Sequence, residues 1–118
     1  MGSASAARGA FGESLAARWY ERQGYEVLAR NWRCTDGELD LVAAKGNVLV
    51  VCEVKARASD AYGSPLDAVT AAKQARLRRL AARYLREAAP PPPVGGRHVR
   101  FDVAAVTGAQ LSVVEGAF

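Results

Sequence analysis

Two strongly apolar runs, residues 39–44 and 48–56, flank the short connection Lys45-Gly46-Asn47. Runs of this kind read as strands buried on both faces, and a glycine-containing connection of this length makes them a hairpin. Charged residues interrupt them at fixed places. Glu38 and Asp40 stand at the start of the first run, and Glu53 and Lys55 stand near the end of the second. A carboxylate is costly to bury unless something compensates it. Residues two apart on a strand share a face, so Glu53 emerges beside Lys55 and Glu38 beside Asp40. A hairpin centred on Gly46 sets Asp40 opposite residue 52 or 53. Like charges facing each other across a ladder repel, and a divalent cation between them reverses the sign.

The rest of the chain supplies the packing layers. Phe11, Leu15 and Trp19, widened by Ala16, predict a helix over residues 5–23 with Gly24 as its stop. Residues 25–32 are β-like, and 34–37 read as a polar turn. Residues 59–65 read as a loop. Thr70 is a suitable N-cap for a helix running to about residue 89. Pro90 to Pro93 then end it, and Gly95-Gly96 complete the link. Residues 99–106 and 111–114 read as two further strands. The order α-β-β-β-α-β-β predicts an α/β fold, a mixed sheet flanked by helices, with residues 1–118 as a single domain.

In the second helix Leu77, Leu80, Ala81, Tyr84, Leu85 and Ala88 make a core-facing stripe. Lys73, Arg76, Arg79, Arg83 and Arg86 fall on the opposite side at 100° per residue. This stripe reads either as a solvated helix face or as a surface that contacts phosphates. The net charge of +4 and a pI near 9.4 favour a polyanionic partner, DNA foremost. No apolar segment approaches the length that spans a bilayer, so no membrane partner is expected. The opening Met1-Gly2-Ser3-Ala4-Ser5 lacks the features of a secretory signal. Two cysteines, Cys34 and Cys52, do not make a disulfide framework, and one histidine, His98, cannot complete a Cys/His zinc site. The expected location is cytoplasmic.

The hard oxygens of Asp40 and Glu53, with the backbone carbonyl of Val54, suit Mg²⁺ or Mn²⁺. That set suggests phosphodiester hydrolysis, with Lys55 orienting the attacking water or stabilising charge on the phosphate. The competing reading of Glu53 and Lys55 is an ordinary ion pair. Arg57 either pairs with Glu53 or joins the cations that meet nucleic acid. Asp102 reads as structural, paired with Arg100 or Arg30. His98 reads as a surface residue, and Trp19 and Trp32 read as core.

An aspartate, a hairpin, then acid-x-lysine resembles the signature of the PD-(D/E)XK nucleases, with Asp40, Glu53 and Lys55 at the matching positions. A closer resemblance covers nearly the whole chain. It is carried by Gly9-Ala10-Phe11-Gly12-Glu13, Ala29-Arg30-Asn31-Trp32-Arg33-Cys34, Gly37-Glu38-Leu39-Asp40-Leu41 and Val50-Val51-Cys52-Glu53-Val54-Lys55-Ala56-Arg57. Tyr62-Gly63-Ser64-Pro65, Arg100-Phe101-Asp102-Val103 and Gly116-Ala117-Phe118 complete it. Together these motifs are similar to the YraN family of bacterial nuclease-like proteins. The resemblance implies a restriction-endonuclease-like core similar to archaeal Holliday junction resolvases. It also implies that Glu13 joins the metal site, and that Gln74 touches the metal water or the phosphate; helix geometry alone also allows Glu13 as a solvent contact and Gln74 as a capping or packing residue. Ala56 departs from the threonine or serine of many relatives.

Three functions compete. One is a Mg²⁺- or Mn²⁺-dependent endonuclease acting on DNA, including branched DNA, where a homodimer would supply the two symmetric cuts. Another is a nucleic-acid-binding accessory using the same fold without turnover. The third is a protein-interaction scaffold with a relict acidic cluster.

Overall fold

The computed structural model describes residues 4–57, 69–88 and 98–118, with side chains from residue 9 to residue 56 in the first stretch. The expected loop at 59–65, the proline link at 90–96, the Tyr62-Gly63-Ser64-Pro65 motif and the Arg57 side chain lie outside the described residues. The elements run α1 (Ala4–Arg22), β1 (Glu26–Cys34), β2 (Gly37–Lys45), β3 (Val48–Arg57), α2 (Ala71–Glu87), β4 (His98–Thr107) and β5 (Gln110–Val114). This is the expected α/β order.

One five-stranded mixed sheet carries the strands in sequence order. The β3–β4 pair is parallel, with α2 in the connection between them, and the other neighbours are antiparallel. The observed β1–β2 turn is only Thr35-Asp36, shorter than the polar turn expected over 34–37, because Cys34 pairs with Gly37 and Arg33 with Glu38. That extension brings Glu38 into the sheet.

Each face of the sheet has its own apolar layer. On one, Leu77, Leu80, Ala81 and Tyr84 of α2 bury against Leu39, Val42, Leu49, Val51, Phe101 and Val103. On the other, Ala16, Ala17 and Tyr20 of α1 bury against Leu41, Ala43, Val50, Cys52 and Ala104. Thr70 caps α2 by accepting from the Lys73 backbone N–H at 3.2 Å.

The apolar stripe of α2 faces the core as expected at Leu77, Leu80, Ala81 and Tyr84, whereas that of α1 is rotated from its expected position. Phe11 is 49% exposed, and Gly12, Ala16, Ala17 and Tyr20 face the sheet instead. Small residues let α1 approach closely: a Cβ built on Gly12 would meet Val106, Ala56 and Val54 at 3.4–3.5 Å. Tyr20 then reaches through the layer to donate its hydroxyl to the buried Asp102 at 2.5 Å. Arg100 clasps the same carboxylate with two bonds of 2.9 Å, and the Gly116 N–H adds a fourth donor. Asp102 is thus structural, and its cation is Arg100. Leu85, expected in the core, is 39% exposed at the far edge of α2.

Candidate functional site

Strands β2 and β3 pair from Lys45↔Val48 to Leu41↔Cys52 and then separate. β2 continues alongside β1, and β3 continues alongside β4. One step past the last rung, Asp40 and Glu53 face each other across the opening. Inward–outward alternation slips here: Leu39 packs with α2 whereas Leu41 packs with α1. Opposite the slip, Asn31 adopts a left-handed backbone with φ +54°, a conformation asparagine tolerates better than most residues. Asp40 consequently turns its carboxylate along the sheet, where Oδ2 accepts the Val54 N–H at 2.9 Å. It takes the place of the missing strand carbonyl. Within a strand a residue's C=O points to the same side as its N–H, so the Val54 carbonyl is directed into the same opening.

Glu53 is buried and faces α2. Lys73, in the first turn of α2, forms an ion pair with its Oε2, and Lys55 Nζ lies 3.5 Å from the same atom. Burial pushes the Asp40 carboxyl up to about 8, and the neighbouring Glu53 charge and hydrogen bond push the same way. Burial also acts to raise Glu53, but the hydrogen bond from Asp40 and the two lysines outweigh it and hold Glu53 below the usual carboxylate range. Their environments thus push the two carboxyls in opposite directions, Asp40 up and Glu53 down. Lys55 is lowered by burial and by the adjacent Lys73 ammonium. Lys73 is raised, because its bond to Glu53 outweighs its own burial.

The opening is the floor of a cavity of about 350 Å³ lined by Glu38, Asp40, Glu53, Val54, Lys55, Lys73, Arg76, Leu77 and Leu80. On the α1 side, one carboxylate oxygen from each of Glu13, Glu38 and Asp40 lies within 4.8 Å of the other two. Asn31 holds Glu13 there by donating from Nδ2 at 3.0 Å, and Arg33 holds Glu38 at 2.6 Å. Asp40, Glu53, Val54 and Lys55 thus converge, and Glu13 reaches Asp40.

Several sequence-derived candidates lie elsewhere. Gln74 turns its amide onto the Val69 carbonyl at 3.2 Å and does not line the cavity, because the end of the turn preceding α2 needs a donor. Lys73 is not on an open basic stripe: Glu53 draws it into the cavity. Arg83 is also occupied, bonded to Asp36 and Glu87 at 2.8 Å and to Thr35 at 2.9 Å. Arg76 lines the cavity, and Arg79 and Arg86 face solvent. Sequence reasoning missed the site role of Lys73 and the positioning role of Asn31. A left-handed asparagine opposite the key aspartate has no periodicity signal, and Lys73 carries no mark that separates it from the arginines.

Cys34 and Cys52 are free thiols, and burial pushes Cys52 up to about 12, so it is no nucleophile. His98 is exposed. Among the described residues no helix is long and apolar enough to cross a membrane.

The sequence is similar to several proteins described as UPF0102 proteins. A UPF0102 protein from Beutenbergia cavernae is 58% identical over 98 residues, covering 83% of this chain and 80% of that protein. Another from Acidothermus cellulolyticus is 48% identical over 127 residues, covering 98% of this chain and 96% of that protein. A third, from a Nocardioides strain, is 52% identical over 100 residues, covering 85% and 77%. The family described as "Uncharacterised protein family UPF0102" matches residues 12–106, a span that includes Glu13, Asp40, Glu53, Lys55 and Lys73. The chain belongs to that family, the YraN family whose motifs its sequence displays.

Proposed function

We propose that the protein is a metal-dependent endonuclease of the PD-(D/E)XK type that hydrolyses DNA phosphodiester bonds. The observation that carries this reading is the opening between β2 and β3. There two carboxylates, Asp40 and Glu53, stand beside Lys55 in one cavity just past the last β2–β3 rung. Burial and a neighbouring carboxylate both disfavour the Asp40 anion, and a hard divalent cation bound between the two acids would offset both. Asp40, Glu53 and the Val54 carbonyl would hold Mg²⁺ or Mn²⁺. When bound, that ion supplies Lewis acidity and lowers the pKa of water. Lys55, its ammonium lowered, orients the attacking water or stabilises charge on the phosphate. Arg76 at the cavity wall and the exposed Arg79 and Arg86 meet flanking phosphates. Branched DNA, the substrate implied by likeness to archaeal resolvases, would call for two copies in symmetric register. Paired thiols being absent from the cysteine inventory, the cytoplasm is the proposed compartment.

A second reading is a DNA-binding accessory without turnover. It is favoured by the internal compensation of the acids, Glu53 by two lysines and Asp40 by the Val54 N–H. Incubation with plasmid, single-stranded, flapped and four-way DNA in Mg²⁺ or Mn²⁺ separates the two. The nuclease reading expects cleavage that Lys55→Ala abolishes. Intact DNA throughout, or cleavage indifferent to Lys55→Ala, overturns the nuclease reading, and salt-sensitive binding that persists in Asp40→Ala then supports the accessory.

A further inference from the structure

Lys73 occupies an unfavourable place for a cation. It lies in the first turn of α2, whose N-terminus carries partial positive charge, and that turn has no acidic residue. Glu53 of β3 compensates it: the ammonium reaches across the cavity and pairs with Oε2. Lys55 stands 3.5 Å from the same oxygen, so two ammonium groups serve one carboxylate. Lys55 is tied to Glu53 by adjacency on its own strand, whereas Lys73 comes from a separate element.

We propose, building on the metal-dependent reading above, that Lys73 is a displaceable counter-ion. It neutralises Glu53 while the carboxylate has no other cation. It moves to a phosphate of the DNA strand when a divalent ion takes that oxygen. Both positions of Lys73 satisfy the same requirement, an anion beside an ammonium at a helix N-terminus. Arg76, one turn further along α2 and lining the same cavity, marks the direction of the second position. Lys73 therefore couples the two ligands: DNA gains a contact only in the metal-loaded protein, and the reciprocal coupling tightens the metal when DNA is present.

The test uses the full chain, with Lys73→Met and Lys73→Arg as variants and near-ultraviolet circular dichroism to verify packing. Calorimetric titration with Mn²⁺ alone is expected to show Lys73→Met binding at least about fivefold more tightly than wild type, the equivalent of one modest ion pair. Lys73→Arg, which keeps the competing charge, stays near wild type. Binding of a duplex oligonucleotide is then followed against salt in Ca²⁺ and in EDTA. Lys73→Met is expected to flatten the log–log slope by about 0.9 in Ca²⁺ and to leave it unchanged in EDTA. A folded Lys73→Met protein with unchanged or weaker Mn²⁺ affinity overturns the displacement, as does an equal loss of slope in both buffers. Wild type that takes up Mn²⁺ but behaves in this way loses only the Lys73 role. Wild type that takes up no Mn²⁺ loses the metal reading and the Lys73 role together. Failure of wild type to bind the duplex in Ca²⁺ removes the phosphate position and overturns the proposal.

Discussion

Asp40 accepts the Val54 N–H with a carboxylate that also faces Glu53, and the pH dependence of stability reports the second contact. Its folded pKa, about 8, lies above the value of 3.8 expected when unfolded. The native state therefore holds the extra proton between these values, and stability falls as pH rises through that window. Asp40→Asn imitates the protonated acid and keeps an acceptor for the Val54 N–H. Urea melts in EDTA are expected to show wild type losing stability from pH 5 to pH 8.5 relative to Asp40→Asn, with no such relative loss if the proton is elsewhere. Glu53 behaves oppositely: its lowered pKa contributes stability above the unfolded value of 4.5 that is lost in acid. A second residue-scale test concerns Tyr20. Tyr20→Phe withdraws one donor from a carboxylate that is only 1% exposed. It should cost about 1–3 kcal/mol, read as a Tm lowered by roughly 4–12 °C. Asp40 and Glu53 were legible because a hairpin about Gly46 fixes which residues meet. Asn31 was not, since a single left-handed residue leaves no trace in hydrophobic spacing.

The helices and turns decide how far the site can be read and altered. On α2, Arg83 ties the helix to the Thr35-Asp36 turn, whereas Arg79 is exposed. Arg79→Glu is therefore expected to weaken DNA binding and reduce its salt slope while leaving Tm nearly unchanged. Arg83→Ala should lower Tm and leave the slope alone, and the reverse pattern would mean that the latch does not hold. Gly37 begins β2 at φ +145°, with Leu80 3.3 Å from where a Cβ would sit. Gly37→Ala should lower Tm and disturb the cavity wall formed by Leu80, visible as reduced thermal stability together with weaker Mn²⁺ binding. The elements themselves were legible from apolar spacing, turn residues and the Thr70 cap. The orientation of α1 was not: periodicity gave Phe11 to the core, but close packing at Gly12 and the buried bond from Tyr20 to Asp102 set the rotation. Likewise the angle of Lys73 around α2 pointed to solvent, and a buried carboxylate on another strand overrode it.

At the scale of the whole molecule, ligand binding should appear as stabilisation. If Asp40 and Glu53 hold a divalent ion, Mg²⁺ or Mn²⁺ at about a hundred times Kd adds roughly 2.7 kcal/mol, and the effect should vanish in Asp40→Asn. A thermal melt with and without the ion checks this, and equal stabilisation of the variant would place the ion elsewhere. Both layers of the fold contribute to that one response. Lys73 arrives from the helix on one face, and Glu13 from the helix on the other. The parting of β2 from β3 has a practical corollary for anyone interpreting variants. The same carboxylate that would grip a cation also secures a loose peptide N–H. Truncating that side chain is thus expected to fray the hairpin's open end, so a ligand-binding defect in Asp40→Ala would report lost shape as well as a lost donor. A substitution of the same outline, accompanied by proof of intact packing, separates the two.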